Sequence, residues 1–241
     1  MAEFLDRVLP NKKCRHGILL FAIFATSVQN SYLDFFISQL VVKDKMMNLI
    51  LASQSQGRAA LLKAAGLRFR QIPSKAVEPA PTKGEALEGH VLALACLKAE
   101  AVARRYPRAI VIGADTALIL GDQIIGKPRS LADARRMLAR LGRQPHRISS
   151  AACVVIPSKI KGRPARYVKL VESATVTLRK WTPARIRRHV ALTHPLAWAG
   201  AYAVQDPCSA AIVRHIEGDL APVIGLPLEA VLRTLKGRAK S

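Results

Sequence analysis

The most constraining feature of the chain is the stretch 48–66, NLILASQSQGRAALLKAAG. An apolar run breaks at a Ser-x-Ser turn and passes directly into a helical pattern rich in alanine and leucine. A strand feeding a helix through a tight polar turn is the repeating step of α/β folds. Ser55 is placed to cap the helix and Gly66 to stop it. Such a turn gathers backbone N–H groups at a helix N-terminus, which is a natural anion site. Ser53 and Ser55 add hydroxyl donors, and Arg58 adds a guanidinium fork suited to phosphate oxygens. Taken alone, a plain helix cap and a solvated arginine explain the same residues equally well. No Walker-type glycine loop is present.

Strand and helix patterns alternate through the rest of the chain. LRFRQI reads as a strand, and a Pro/Lys-rich loop leads to an alanine-rich helix over roughly 86–105. AIVIGADTALIL predicts a buried strand, a polar break and a second strand, with Gly121-Asp122 turning into QIIGKP. Ser130 and Asp133 start a further helix as a Ser-x-x-acid pair. RISSAACVVI and SATVTLRKW form two strands of a hairpin, and Thr182-Pro183 opens another helix. AYAVQDPCSAAIVRHIEGD is strand-like with a turn. Pro227 opens the last helix, with Gly237 as its stop. The expectation is an α/β fold with a mixed sheet and flanking helices, and there is no internal repeat.

The chain has 241 residues and a net charge of +22. Six of its 38 Lys/Arg and four of its 16 Asp/Glu fall within residues 1–47, which leaves +20 on the remainder. The surplus therefore belongs to the folded part and suits polyanionic ligands. Solvated surface arginines account for most of it, and aromatic residues are only 5% of the chain, so stacking on bases is poorly supported. The four cysteines (Cys14, Cys96, Cys153, Cys208) have no zinc-ligand or disulfide-framework spacing, which fits reduced thiols. Residues 1–47 hold a basic start and an apolar run shorter than the ~20 residues a membrane-spanning helix needs. A weak export signal, an amphipathic appendage and an upstream-start extension compete there. The last is favoured, with the fold expected to occupy 48–241.

Several residues carry candidate chemistry. Asp115 interrupts an apolar strand signal, where a carboxylate is costly unless paired, hydrated or bound to metal. It suits a general base or a hard-cation ligand, with a turn aspartate as the bland alternative. Lys98 and Lys127 would each read singly as surface lysines. With Arg58 and Asp115 they make three cations and one carboxylate, a set suited to phosphates. Glu78 could supply a second metal carboxylate, or be a solvated loop acid.

These segments, taken in order, resemble the Maf family of nucleoside triphosphate pyrophosphatases. The resemblance rests on LILASQSQGRAALLKAAGLRF, LKAEAVA, VIGADTALIL, IIGKPRSLADARRML, AGAYAVQ and IEGDLAPVIGLPL, and runs from about Asn48 to Leu235. It implies an elongated α/β fold with two lobes around a cleft, often dimeric and cytoplasmic. It also implies Mg²⁺- or Mn²⁺-dependent cleavage between the α and β phosphates, clearing surplus or modified nucleotides. Carried over by position, Asp115 is the proton acceptor. Ser53, Ser55 and Arg58 form the phosphate turn, Lys98 and Lys127 neutralise the triphosphate, and Glu78 is a metal ligand. Thr116 and Gln205 fall at positions linked to base selection.

The chain departs from the family pattern in three places. Gln56-Gly57 replaces Pro-Arg in the usual S-x-S-P-R-R turn, the loop acid pair is Val77-Glu78, and AWAGAY stands for DKAGAY. Gly57 thus lacks an arginine at a specificity position, which leaves the preferred base open. A catalytically weakened nucleotide or nucleic-acid binding protein is the alternative reading. No specific nucleic-acid partner and no membrane partner is expected.

Overall fold

The computed structural model describes residues 48–82, 85–158, 160 and 163–239. The expectations for residues 1–47 lie outside the described residues. The chain folds around a seven-stranded mixed sheet of order β2-β1-β3-β5-β6-β7, with β4 added to the edge of β3. The strands are β1 (Leu49–Leu51), β2 (Arg70–Gln71), β3 (Ile110–Leu120), β4 (Gln123–Ile125), β5 (His146–Ile156), β6 (Arg166–Leu178) and β7 (Val213–Glu217). β1 runs parallel to both β2 and β3, and the remaining pairs are antiparallel. The helices are α1 (Gln56–Ala64), α2 (Leu87–Ala103), α3 (Leu131–Leu141), α4 (Pro183–Leu192), α5 (Pro207–Ala210), α6 (Leu220–Ile224) and α7 (Leu228–Ala239). The expected mixed α/β class is what the chain adopts.

Side-chain alternation divides the core between the two faces of the sheet. Leu49, Leu51, Ile110, Ile112, Ala114 and Val154 pack with Leu62 of α1 and with Val231 and Leu235 of α7. Ile50, Val111, Ala117, Ile119 and Cys153 pack on the opposite face, against Val91, Ala95 and Ala99 of α2. A third cluster joins Leu118 and Val176 to Leu138 and Leu141 of α3 and Ile186 of α4.

The helix starts follow from the sequence. Ser55, Ser130 and Thr182 each accept a hydrogen bond from the N–H three residues on. The acid arm at Ser130 differs from a simple capping box, because Asp133 takes the N–H of Arg129. Gly66 has φ of +73°, the left-handed conformation of a helix stop.

Three expectations are corrected. β3 is one continuous strand through Asp115, since its ladder with β5 runs unbroken from Val111 to Ile119. The glycine at 113 breaks nothing there; it removes a side chain where α2 crosses. A Cβ on Gly113 would stand 2.2 Å from the Ala95 carbonyl oxygen and 2.5 Å from the Ala99 nitrogen. The 201–219 region is mostly turns and the short α5, with only Val213–Glu217 extended. α7 continues past Gly237, because one helix glycine costs only about 1 kcal/mol. Cys96 and Cys153 are free thiols.

Candidate active site

The site forms where the β3 edge is left open. β1 ends at Leu51, opposite Ile112, and β4 begins its pairing at Leu118. Between them, the 113–117 segment of β3 has no strand neighbour on that edge among the described residues. The loop leaving β1 carries the Ser-x-Ser turn to this interval, where Arg58 ties Ser53 to Thr116. Ligands in α/β sheets gather at such carboxyl ends of parallel strands.

Three groups of side chains meet around this opening. In the first, Arg58 donates from Nε to the Gly225 carbonyl at 2.8 Å, from one terminal nitrogen to Ser53 Oγ at 2.9 Å, and from the other to Thr116 Oγ1 at 3.0 Å. Thr116 Oγ1 also lies 2.8 Å from Ser150 Oγ, which donates to the Pro222 carbonyl at 2.7 Å. A guanidinium has five N–H donors, so two remain for a ligand. Arg58 is therefore a strut that ties the turn to β3 and to the 222–225 segment. Burial lowers its pKa below the ordinary guanidinium value, and the charges of Asp115 and Glu78 oppose that shift. Those two carboxylates are thus electrostatic neighbours of the turn.

In the second group, Lys98 of α2 reaches Asp115 at 2.6 Å and Glu78 at 2.9 Å. The Lys98 and Asp115 side chains are only 12% and 15% exposed, while that of Glu78 is 49% exposed. Lys98 gets there because α2 lies close on β3 at Gly113, and Asp115 is on that same face.

The third group surrounds Gly57. A Cβ there would stand 3.1 Å from Ile224 Cγ2 and 3.6 Å from Gln205 Nε2. The residue that departs from the family turn therefore faces the Gln205 side chain, and its lack of a side chain leaves room for Ile224.

The turn itself keeps donors in reserve. Ser53 Oγ accepts from the Ser55 N–H and from Arg58, which leaves its own proton uncommitted. Ser55 Oγ caps α1 by accepting from the Arg58 N–H. The first-turn N–H groups of Gln56 and Gly57 have no partner among the described residues.

Ser53, Arg58, Lys98, Asp115, Thr116 and Glu78 are thus brought together, with Gly57 and Gln205 alongside. Lys127 is not in contact with them. It is exposed in the turn after β4, which leaves Ile125 opposite Leu118 and heads back along the β3 edge. Sequence reasoning missed Ser150, Gly225 and Ile224. Ser150 is the register partner of Thr116, a relation that appears only once β3 is paired with β5.

No group of three or more His, Cys, Asp or Glu side chains able to hold a metal ion occurs among the described residues. Asp115 and Glu78 nevertheless offer hard carboxylate oxygens within reach of one ammonium nitrogen. Two carboxylates completed by substrate phosphates are the usual donor set for Mg²⁺, so the residues fit that class of ion. No helix among the described residues is long and apolar enough to cross a membrane.

A strand–turn–helix step with unpartnered N–H groups, beside a carboxylate and a largely buried lysine, suits the chemistry of a phosphoryl-transfer hydrolase. The Maf-like protein family model matches residues 48–238, and the chain belongs to that family. The dTTP/UTP pyrophosphatase of Oleidesulfovibrio alaskensis is 37% identical over 79% of this chain and 84% of its own length. Proteins of the same description from Syntrophus aciditrophicus and a Geobacillus species are 38% and 37% identical, covering 88% and 98% of their own lengths. Among solved structures, a HAM1 protein from Coxiella burnetii aligns over 79% of this chain and 99% of its own, with a TM-score of 0.47 and 14% identity.

Proposed function

We infer that this chain hydrolyses nucleoside triphosphates between the α and β phosphates, releasing the nucleoside monophosphate and pyrophosphate. We propose pyrimidine triphosphates, dTTP and UTP, as its substrates. The observation that carries the reading is the Asp115 carboxylate, held by Lys98 at the open β3 edge beside the Ser53–Arg58 turn. The names of the relatives and the placement of Gln205 beside Gly57 support the base preference.

In this mechanism the triphosphate lies across the N-terminus of α1. The N–H groups of Gln56 and Gly57, the Ser53 hydroxyl and the two spare donors of Arg58 take its oxygens. These fixed dipoles and charges need no reorganisation as charge shifts toward the leaving group. Asp115 orients a water and accepts its proton as the oxygen attacks the α-phosphorus. The bond from that phosphorus to the bridging oxygen breaks, and pyrophosphate leaves with the electron pair. Lys98 holds the Asp115 carboxylate in line, and Lys127, on the free end of the β4 turn, adds charge for the outer phosphates. Asp115 and Glu78 would hold Mg²⁺ or Mn²⁺, which when bound neutralises phosphate charge. The family pattern also supports a cytoplasmic homodimer.

Purified protein given Mg²⁺ or Mn²⁺ and a panel of triphosphates is expected to release pyrophosphate, fastest from dTTP and UTP, and to stop when EDTA is added. Asp115→Asn keeps an oxygen for Lys98 and is expected to lower kcat by about 10³-fold with unchanged folding. Full activity in that variant removes Asp115 from the mechanism.

A further inference from the structure

Away from the β3 edge, α3 and α4 pack over Leu138 and Ile186 and leave a groove of about 620 Å³ between them. Arg135, Arg136, Arg143, Lys180 and Arg187 line it, and no acid does. Over residues 131–143 and 179–193 the sequence holds nine Lys/Arg against one acid, Asp133. That acid is taken up by Arg136 at 3.1 Å and by the Arg129 N–H. The other four lining cations have no ion pair among the described residues. So many like charges on two packed helices repel one another, and a bound polyanion relieves that repulsion. None of these residues belongs to the cluster around Asp115.

We propose that this groove binds the phosphodiester backbone of a single-stranded nucleic acid without reading its bases. The aromatic side chain in the groove decides against a nucleotide pocket. Trp181 is already engaged, with the Arg185 guanidinium 4.6 Å above its ring centre and the His189 ring edge-on at 5.1 Å. Trp181 is the one aromatic ring lining the groove among the described residues, and a guanidinium already sits on it, so the base stacking that sequence-tolerant strand binders otherwise use has little to work with here. What remains for recognition is charge along a channel. The channel lies between two packed helices, whose axes stand about 8–10 Å apart, so it admits a single backbone more readily than a duplex. Its concave wall suits a strand better than the flat headgroup plane of a membrane.

The test is fluorescence anisotropy of a labelled oligothymidylate with the full chain, across a range of salt concentrations. Each phosphate contact contributes about 0.7 to the slope of log affinity against log salt for single strands. The triple variant Arg135→Ala/Arg143→Ala/Arg187→Ala is expected to flatten that slope by about 2 and to weaken binding about a hundredfold near 0.1 M salt. All three side chains are exposed, so folding and triphosphate turnover are expected to stay as they are. A control that removes the same charge elsewhere, Arg68→Ala/Arg108→Ala/Arg163→Ala, is expected to keep most of the affinity. An equal loss in the control overturns the proposal, because net charge alone then explains binding. So does the absence of oligothymidylate binding by the unsubstituted chain at low salt. Tighter binding of anionic phospholipid vesicles through the same three arginines also overturns it.

Discussion

Replacing Arg58 by lysine keeps the charge and removes the fork, and so isolates what the three directed bonds do. The ammonium group of a lysine can keep one of the contacts to Gly225, Ser53 and Thr116, but its shape does not span all three. Two charge-assisted bonds are then lost, each worth at least about 1.5 kcal/mol. The acceptors themselves stay satisfied. Thr116 keeps Ser150 and Ser53 keeps the Ser55 N–H, while the lysine ammonium is expected to keep the Gly225 carbonyl, the one acceptor those bonds do not serve. The expected loss is therefore about 3 kcal/mol and no larger penalty for buried orphans. For a domain of this size that lowers Tm by about 6–12 °C.

Activity is expected to fall more steeply than binding. The turn, β3 and the 222–225 segment lose their common tie, and the spare donors lose their aim, so kcat/KM drops about a hundredfold. Urea unfolding and pyrophosphate release measure the two effects. A double-mutant cycle with Thr116→Val separates a strut from a simple phosphate ligand. If Arg58 works through Thr116, the two stability losses are less than additive by about 1 kcal/mol. Additive losses, or an Arg58→Lys protein within 1 °C and threefold of the parent, refute the reasoning.

Two other perturbations follow from the core. Gly113→Ala drives a Cβ into the α2 backbone at Ala95 and Ala99, with no flexible side chain to give way. It is expected to cost at least about 3 kcal/mol and to lower activity as Lys98 moves; an unchanged urea midpoint counts against the close packing of α2 on β3. His146 is buried, with its Nε2 2.6 Å from the Tyr202 hydroxyl, and burial pulls its pKa down from 6.5 to about 4. Below pH 6.5 the unfolded chain takes up the proton that the folded chain refuses, so stability falls as pH drops through that window. From pH 7.5 to pH 5 this residue alone accounts for about 2 kcal/mol, added to a like-signed effect from buried His189. Denaturation of His146→Gln over the same range is expected to show a shallower slope, and an equal slope rules the assignment out.

What could be read from the sequence was local. Caps at Ser55, Ser130 and Thr182 are set by hydrogen bonds within three residues, so pattern alone places them. Lys98 shares its helix face with Val91, Ala95, Ala99 and Val102; singly it reads as a surface lysine, and only beside Arg58 and Asp115 does it join a set suited to phosphates. What could not be read was long-range. Ser150 joins the site only through the register of β5 on β3, and Gly225 through a carbonyl 167 residues from Arg58. The polar break expected at Gly113–Asp115 failed for a related reason. A glycine and an aspartate weaken a strand in isolation, yet here the glycine admits a helix and the helix brings the lysine that pairs the aspartate.

The same strand explains why the site lies at an edge. Asp115 and Thr116 are adjacent, so the pleat sends their side chains to opposite faces of the sheet. Asp115 meets Lys98 on the α2 face, while Thr116 meets Arg58 and Ser150 on the face of α1. A ligand in the middle of a sheet could address one of these residues and never both. It can reach both only where a strand has no neighbour, and β3 has such an interval between the end of β1 and the start of β4. The shortness of β1, three residues, is thus what keeps that interval open. Extended by two or three residues along β3, β1 would pair the backbone beside Asp115 and close the opening through which, in the proposed mechanism, one triphosphate reaches Asp115 on one face and the Ser53–Arg58 turn on the other.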